Sequence, residues 1–137
     1  MKKVVKFGGS SLASAEQFKK VGNIIRKEES RRYVIPSAPG KRTPDDTKVT
    51  DMLYSCYGQA ILGEDAEKDF EEQLDAIKER YNGIIRGLNL NLSLDEEFKT
   101  IRTNFSKKIG RDYAASRGEY LNGIIMAAYL GYEFIDA

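Results

Sequence analysis

Histidine is absent from this 137-residue sequence, and cysteine occurs once, at Cys56. Without histidine there can be no Ser-His-Asp or Cys-His nucleophile and no imidazole-liganded metal within the chain. A single cysteine excludes an intrachain disulfide. No apolar run reaches membrane-spanning length and no signal peptide is recognisable, so the expectation is a cytoplasmic chain with no membrane partner. An excess of one charge is also missing: 22 basic and 21 acidic residues are scattered along the chain, giving a net charge of +1 and no basic patch. Nucleic acid is therefore not an expected partner. Lysines, carboxylates, hydroxyls and backbone amides remain to do any chemistry. That inventory suits phosphoryl transfer, which depends on positioning and charge neutralisation more than on proton transfer.

The most informative stretch is Val4-Val5-Lys6-Phe7-Gly8-Gly9-Ser10-Ser11. A short β-branched and aromatic run stops on two glycines and opens into a helix, a pattern that reads as strand, phosphate loop, helix. Paired glycines permit positive φ and close approach of an anion to the backbone, and helix-start amides direct their dipole at that anion. Neither GxxxxGK[ST] nor GxGxxG is present, so the two best-known phosphate loops are excluded by spacing. On the glycines alone, a tight strand-to-helix turn with a solvent-facing Lys6 is the competing reading.

Farther along, Ser14 and Gln17 form a capping box ahead of a helix expected over about Ala13 to Lys27, with Leu12, Ala15, Phe18, Val21, Ile24 and Ile25 at helical spacing. Tyr33-Val34-Ile35 reads as a second strand, parallel to the first because a helix joins them. Both the Gly8-Gly9 and the Ser37-Ala38 turns then lie at the carboxyl edge of the sheet, where such folds bind ligands. Gly40 to Lys48 reads as a mobile polar loop without core contacts. Helical spacing resumes from Val49, which puts Thr50 in the first turn of a helix. A long amphipathic helix from Asp65 to Leu88 and another behind a Ser93–Glu96 capping box read as a helical hairpin with a structural role. Asp112 is expected to cap a last helix. Its apolar face would carry Tyr113, Tyr120, Leu121, Ile124, Ile125 and Ala128, with Asp112, Ser116, Glu119, Gly123 and Met126 along a separate stripe. Tyr132 to Ile135 reads as the start of a third strand.

The opening KFGGSS resembles the first motif of the amino-acid kinase family, and within it the aspartokinases. SAPGKR with Val49-Thr50-Asp51 behind it, and Ser116-Arg117-Gly118-Glu119, are similar to two further aspartokinase stretches in the same order. The resemblance implies a three-layer αβα sandwich, with residues 1–137 as the N-terminal part of a longer catalytic domain, inactive alone. It implies phosphorylation of the L-aspartate side-chain carboxylate by ATP with Mg2+, whose site would lie mostly outside this chain, and a homo-oligomer in the full-length protein. By the same resemblance Lys6 is catalytic, and Lys6, Phe7, Gly8, Gly9 and Ser10 hold the ATP phosphates. Thr50 and Glu119 take opposite charges of the aspartate zwitterion, with Ser37 and Ala38 in support. Pro36 departs from the β-branched residue usual in the family, and Arg117 stands where relatives often carry histidine, so no role passes to it. Another amino-acid kinase, or a non-catalytic helical interaction module, are the alternatives. By themselves, Thr50 could be an ordinary N-cap and Glu119 a surface glutamate paired with Arg117 or Asn122.

Overall fold

The computed structural model describes residues 1–136. Seven regular elements follow in chain order: β1 (Lys3–Phe7), α1 (Ala15–Arg26), β2 (Arg31–Pro36), α2 (Val49–Ile61), α3 (Glu67–Gly87), α4 (Asp95–Ser106) and α5 (Arg111–Leu130), with 3-10 turns at Gly9–Leu12 and Gly63–Ala66. The two strands pair in parallel, Val4 beside Tyr33 and Lys6 beside Ile35, as their connection through α1 requires. Alternation splits the ribbon: Val5, Phe7 and Val34 pack on the core, whereas Val4, Tyr33 and Ile35 are about half exposed, at 60%, 50% and 48%.

The α1 cap forms as expected, with Ser14 Oγ accepting from the Gln17 amide at 3.4 Å. Phe18, Val21 and Ile25 are buried beneath it, but Ile24 lies on the outside. The helical hairpin is also present. Helices α3 and α4 run antiparallel, tied by Lys78–Asp95 at 2.9 Å and Arg102–Glu71 at 2.5 Å. Phe105 sits at the junction of four helices, its ring 5.3 Å from Tyr57, 6.5 Å from Phe70 and 6.2 Å from Tyr113. The apolar stripe of the hairpin is therefore spent on the chain's own core rather than left open to a partner.

Several local expectations are corrected. Tyr132 to Ile135 forms no strand: among the described residues only β1 and β2 pair. Its side chains are held instead, Phe134 edge-on to Tyr120 at 5.7 Å and the Tyr132 hydroxyl 3.4 Å from the Arg31 carbonyl. Helix α4 ends at Ser106 and turns on Lys108 at φ 56°, while Gly110, at φ 138°, is the N-cap of α5; Asp112 lies inside the first turn and caps nothing. Ser93 Oγ accepts from the Asp95 amide rather than from Glu96. The buried face of α5 runs through Ala114, Gly118, Leu121, Asn122 and Ile125, and Gly123 and Met126 are buried too, while Ala128 is exposed. Small residues let this helix be covered on more than one side: of the expected apolar face, Leu121 and Ile125 are buried and Tyr113, Tyr120 and Ile124 pack against the core, so only Ala128 was misplaced.

Candidate functional site

The β1 and β2 ends converge as the strand–loop–helix pattern implies. The Ser37 amide donates to the Phe7 carbonyl at 3.1 Å and the Gly40 amide to the Gly9 carbonyl at 2.8 Å. Positive φ is not what these glycines supply: Gly8 sits at φ −77°, and neither Gly8 nor Gly9 is left-handed. Close approach is. A Cβ on Gly9 would lie 2.9 Å from the Ala38 carbonyl oxygen, and one on Gly40 would lie 2.6 Å from the Gly9 carbonyl carbon. Any side chain at either position pushes the two turns apart. The same logic operates at Gly118 of α5, where an added Cβ would lie 2.6 Å from the Ala38 Cβ.

A cavity of about 450 Å³ opens at this contact, lined by Gly9, Ser10, Ala38, Pro39, Gly40, Lys41, Lys48 and Thr50. Thr50 occupies the first turn of α2, and Lys48, not Thr50, is the N-cap residue, so the threonine hydroxyl is not consumed as a cap. Backbone amides at Gly9 and Ser10, a hydroxyl at a helix start and two ammonium groups make this a setting for an anionic ligand. Lys41 and Lys48 were missed from sequence because they belong to a loop read only as polar.

That loop is not free. Arg42 Nε donates to Asp46 at 2.6 Å, and the Arg42 and Thr47 amides donate to the same carboxylate at 3.0 and 2.9 Å. These hydrogen bonds, first that of the Arg42 side chain, hold the Asp46 carboxyl well below its usual range. From α3, the Arg80 guanidinium, its side chain 3% exposed, donates to the Gly40 and Thr47 carbonyls and stands 3.5 Å from Asp46. The expectation of a loop without core contacts fails because Arg80, a buried residue of α3, bonds to both of its ends.

Glu119 lies elsewhere. It is exposed on α5 and lines a larger groove, about 1190 Å³, with Ile35, Pro36, Ser116, Arg117 and Tyr120 among its walls. Holding ATP and aspartate together implies one cleft shared by Lys6, Gly8, Gly9, Thr50 and Glu119; instead Gly9 and Thr50 line one cavity and Glu119 another, the two meeting at the Pro36–Ala38 turn, and Lys6, Phe7, Gly8 and Ser37 line neither. Two contacts fix α5 to its neighbours here: Asn122 Nδ2 donates to the Ser37 carbonyl at 2.8 Å, and the Tyr81 hydroxyl of α3 to the Gly118 carbonyl at 2.9 Å. Glu119 forms no ion pair among the described residues. Arg117 is occupied with Ser116 and the Tyr113 and Tyr120 rings, and Asn122 with Ser37, so both proposed surface partners of Glu119 are engaged elsewhere. Lys6 stands exposed on β1 beside Ile35. The described residues gather no group of three acidic or cysteine side chains able to hold a divalent cation, and no helix among them is long and apolar enough to cross a membrane.

Known proteins are similar to this chain in sequence and fold. A solved structure of aspartate kinase from Clostridium acetobutylicum is 48% identical, superposes with a TM-score of 0.90, and is matched over 98% of this chain and 30% of its own. Aspartokinase 3 of Bacillus subtilis is 38% identical over 98% of this chain, and chloroplastic aspartokinase 1 of Arabidopsis thaliana 34% identical over 93%. E. coli aspartokinase III, at 21% identity and a TM-score of 0.73, shares the fold. The chain spans 30% of the length of the Bacillus protein and 23% of that of the Arabidopsis one. The profile of the Amino acid kinase family matches residues 1–137, and to that family this chain belongs.

Proposed function

We propose that this chain forms the phosphate-holding and acceptor-holding part of an aspartate kinase catalytic domain, which transfers the γ-phosphoryl group of ATP to the side-chain carboxylate of L-aspartate. The observation that carries the reading is the Gly9–Gly40 contact. It sets a glycine turn suited to phosphates directly against the loop that brings Lys41, Lys48 and Thr50 into one cavity. The kinship to proteins named aspartokinases at 38% and 48% identity gives the acceptor.

In this reading Lys6 and the Phe7–Ser10 backbone neutralise charge on the transferring phosphoryl group, an effect worth several kcal/mol in a site that excludes water. Thr50 donates its hydroxyl to a substrate carboxylate at the positive end of α2, with Ser37 and Ala38 shaping the wall between the cavities. Glu119, without an intrachain cation, accepts from the substrate ammonium group. ATP would act with Mg2+ held mainly by residues beyond this chain. The full-length protein would be a cytoplasmic homo-oligomer opening lysine, threonine and methionine biosynthesis.

The test supplies the intact protein with MgATP and L-aspartate, L-glutamate, N-acetylglutamate or carbamate, and traps acyl phosphate with hydroxylamine. Hydroxamate formed with aspartate alone supports the reading. Preference for another acceptor moves the chain to a different branch of the family.

A further inference from the structure

We propose that Arg80, in the middle of α3, is a positioning residue that holds the Gly40–Lys48 loop shut against the Gly9 turn and so keeps the acceptor side of the site in register with the phosphate side. Arg80, three residues after Ile77 and four before Ile84, flanks the apolar stripe of α3, and the structure buries it. One guanidinium nitrogen donates to the Gly40 carbonyl and the other to the Thr47 carbonyl at 3.0 Å. It therefore grips both ends of the loop. Asp46, at 3.5 Å and already bonded to Arg42, balances the charge. Gly40 in turn donates to Gly9 at 2.8 Å, and Val49, the first residue of α2, donates to the Pro39 carbonyl at 3.1 Å. A continuous chain of bonds runs from α3 through the loop to the glycine turn and to the helix start that carries Thr50.

The choice of residue points to position rather than packing. Burying a guanidinium is costly, and here its Nε is left without a partner. A well-packed apolar residue would serve a core better. Only arginine offers a planar fork that reaches two separate carbonyls at once; lysine is a point charge on a flexible stem and would hold one. The loop so gripped carries Lys41 and Lys48, both lining the cavity. Its kinetic consequence rests on the aspartate-kinase reading; the clamp itself does not.

The experiment compares Arg80→Lys and Arg80→Gln in the full-length protein by hydrogen exchange over residues 39–49, steady-state kinetics and melting temperature. Loss of one charge-assisted bond should speed amide exchange in the loop about tenfold or more in Arg80→Lys. The KM for L-aspartate should rise about tenfold, with kcat within about twofold and melting close to wild type, because the lysine keeps a charge beside Asp46. Unchanged loop exchange in Arg80→Lys overturns the proposal. So does a fall in kcat that tracks a fall in melting temperature with both substrates affected alike, since that is what a purely structural arginine would give. If the wild-type protein shows no aspartate-dependent turnover, the functional reading fails while the exchange data still decide the clamp. Should Arg80→Gln fail to fold, Arg80→Lys alone carries the comparison.

Discussion

Glu119 is exposed and unpaired within the described chain, so its carboxylate is available to an incoming cation. Glu119→Gln keeps the shape and removes the charge; losing a charge-assisted contact to the substrate ammonium should cost about 1.5 to 3 kcal/mol. In the intact protein the KM for aspartate should rise while that for ATP stays put, and equal weakening of both would make Glu119 structural. Asp46 makes a prediction in pH. Its carboxyl is depressed in the fold from an ordinary value of 3.8, chiefly by the Arg42 hydrogen bond, with Thr47 and Arg80 also facing it. A depressed carboxyl contributes stability that is fully present above the unfolded value and is lost as pH falls through the folded one. The melting difference between wild type and Asp46→Asn should therefore stay constant from about pH 8 to about pH 5 and shrink below the ordinary carboxyl range. A difference that shrinks already near neutrality would contradict the assignment. Cys56 is buried against the Phe70 carbonyl at 3.7 Å, and burial pushes its thiol up to about 12. Native protein at neutral pH should resist thiol reagents at this position and react once unfolded, as peptide mapping of the labelled cysteine would read.

At the scale of elements, what was legible in the sequence is what periodicity and glycine chemistry govern. The spacing of Phe18, Val21 and Ile25 fixes α1, the Gly8-Gly9 stop ends β1, and Asn89, at φ 55°, breaks α3 where leucine and asparagine alternate. Features set by tertiary contact were not legible. Nothing in the sequence marks Arg80, at the edge of the α3 apolar stripe, as a partner of the loop, and Asn122, buried among apolar neighbours on α5, has no sequence signature. Tyr132 to Ile135 has strand composition but pairs with no strand among the described residues; Phe134 packs its ring on Tyr120 and over Gly123 of α5, while Tyr132 and Ile135 stay exposed. Phe105 shows how the helices depend on one another: its ring reaches Tyr57 of α2, Phe70 of α3 and Tyr113 of α5. Phe105→Ala should cost about 3 to 5 kcal/mol, as for other buried aromatic truncations. A loss under about 1 kcal/mol by chemical denaturation would mean that the four helices pack independently of this ring.

For the whole molecule, the two-stranded ribbon leaves Val4, Tyr33 and Ile35 about half uncovered, while the glycine contact, the Arg80-held loop and the α5 groove meet around Pro36–Ala38. Residues 1–137 expressed alone should bind phosphate weakly at most and should not turn over, because positioning donor, acceptor and metal together accounts for about 7 to 11 kcal/mol of barrier lowering. Aspartate-dependent ADP release from that segment would refute this. The central claim is that one ligand-binding site unites the glycine turn with the 40–48 loop. Lysine footprinting of the intact protein, by acetylation and mass spectrometry with and without MgATP plus L-aspartate, reads it most directly, since Lys6, Lys41 and Lys48 are all exposed in the free chain, as are Lys19 and Lys107 away from the cavity. The predicted result is protection of Lys6, Lys41 and Lys48 together, with Lys19 and Lys107 unchanged; ligand-independent labelling of all five would contradict it.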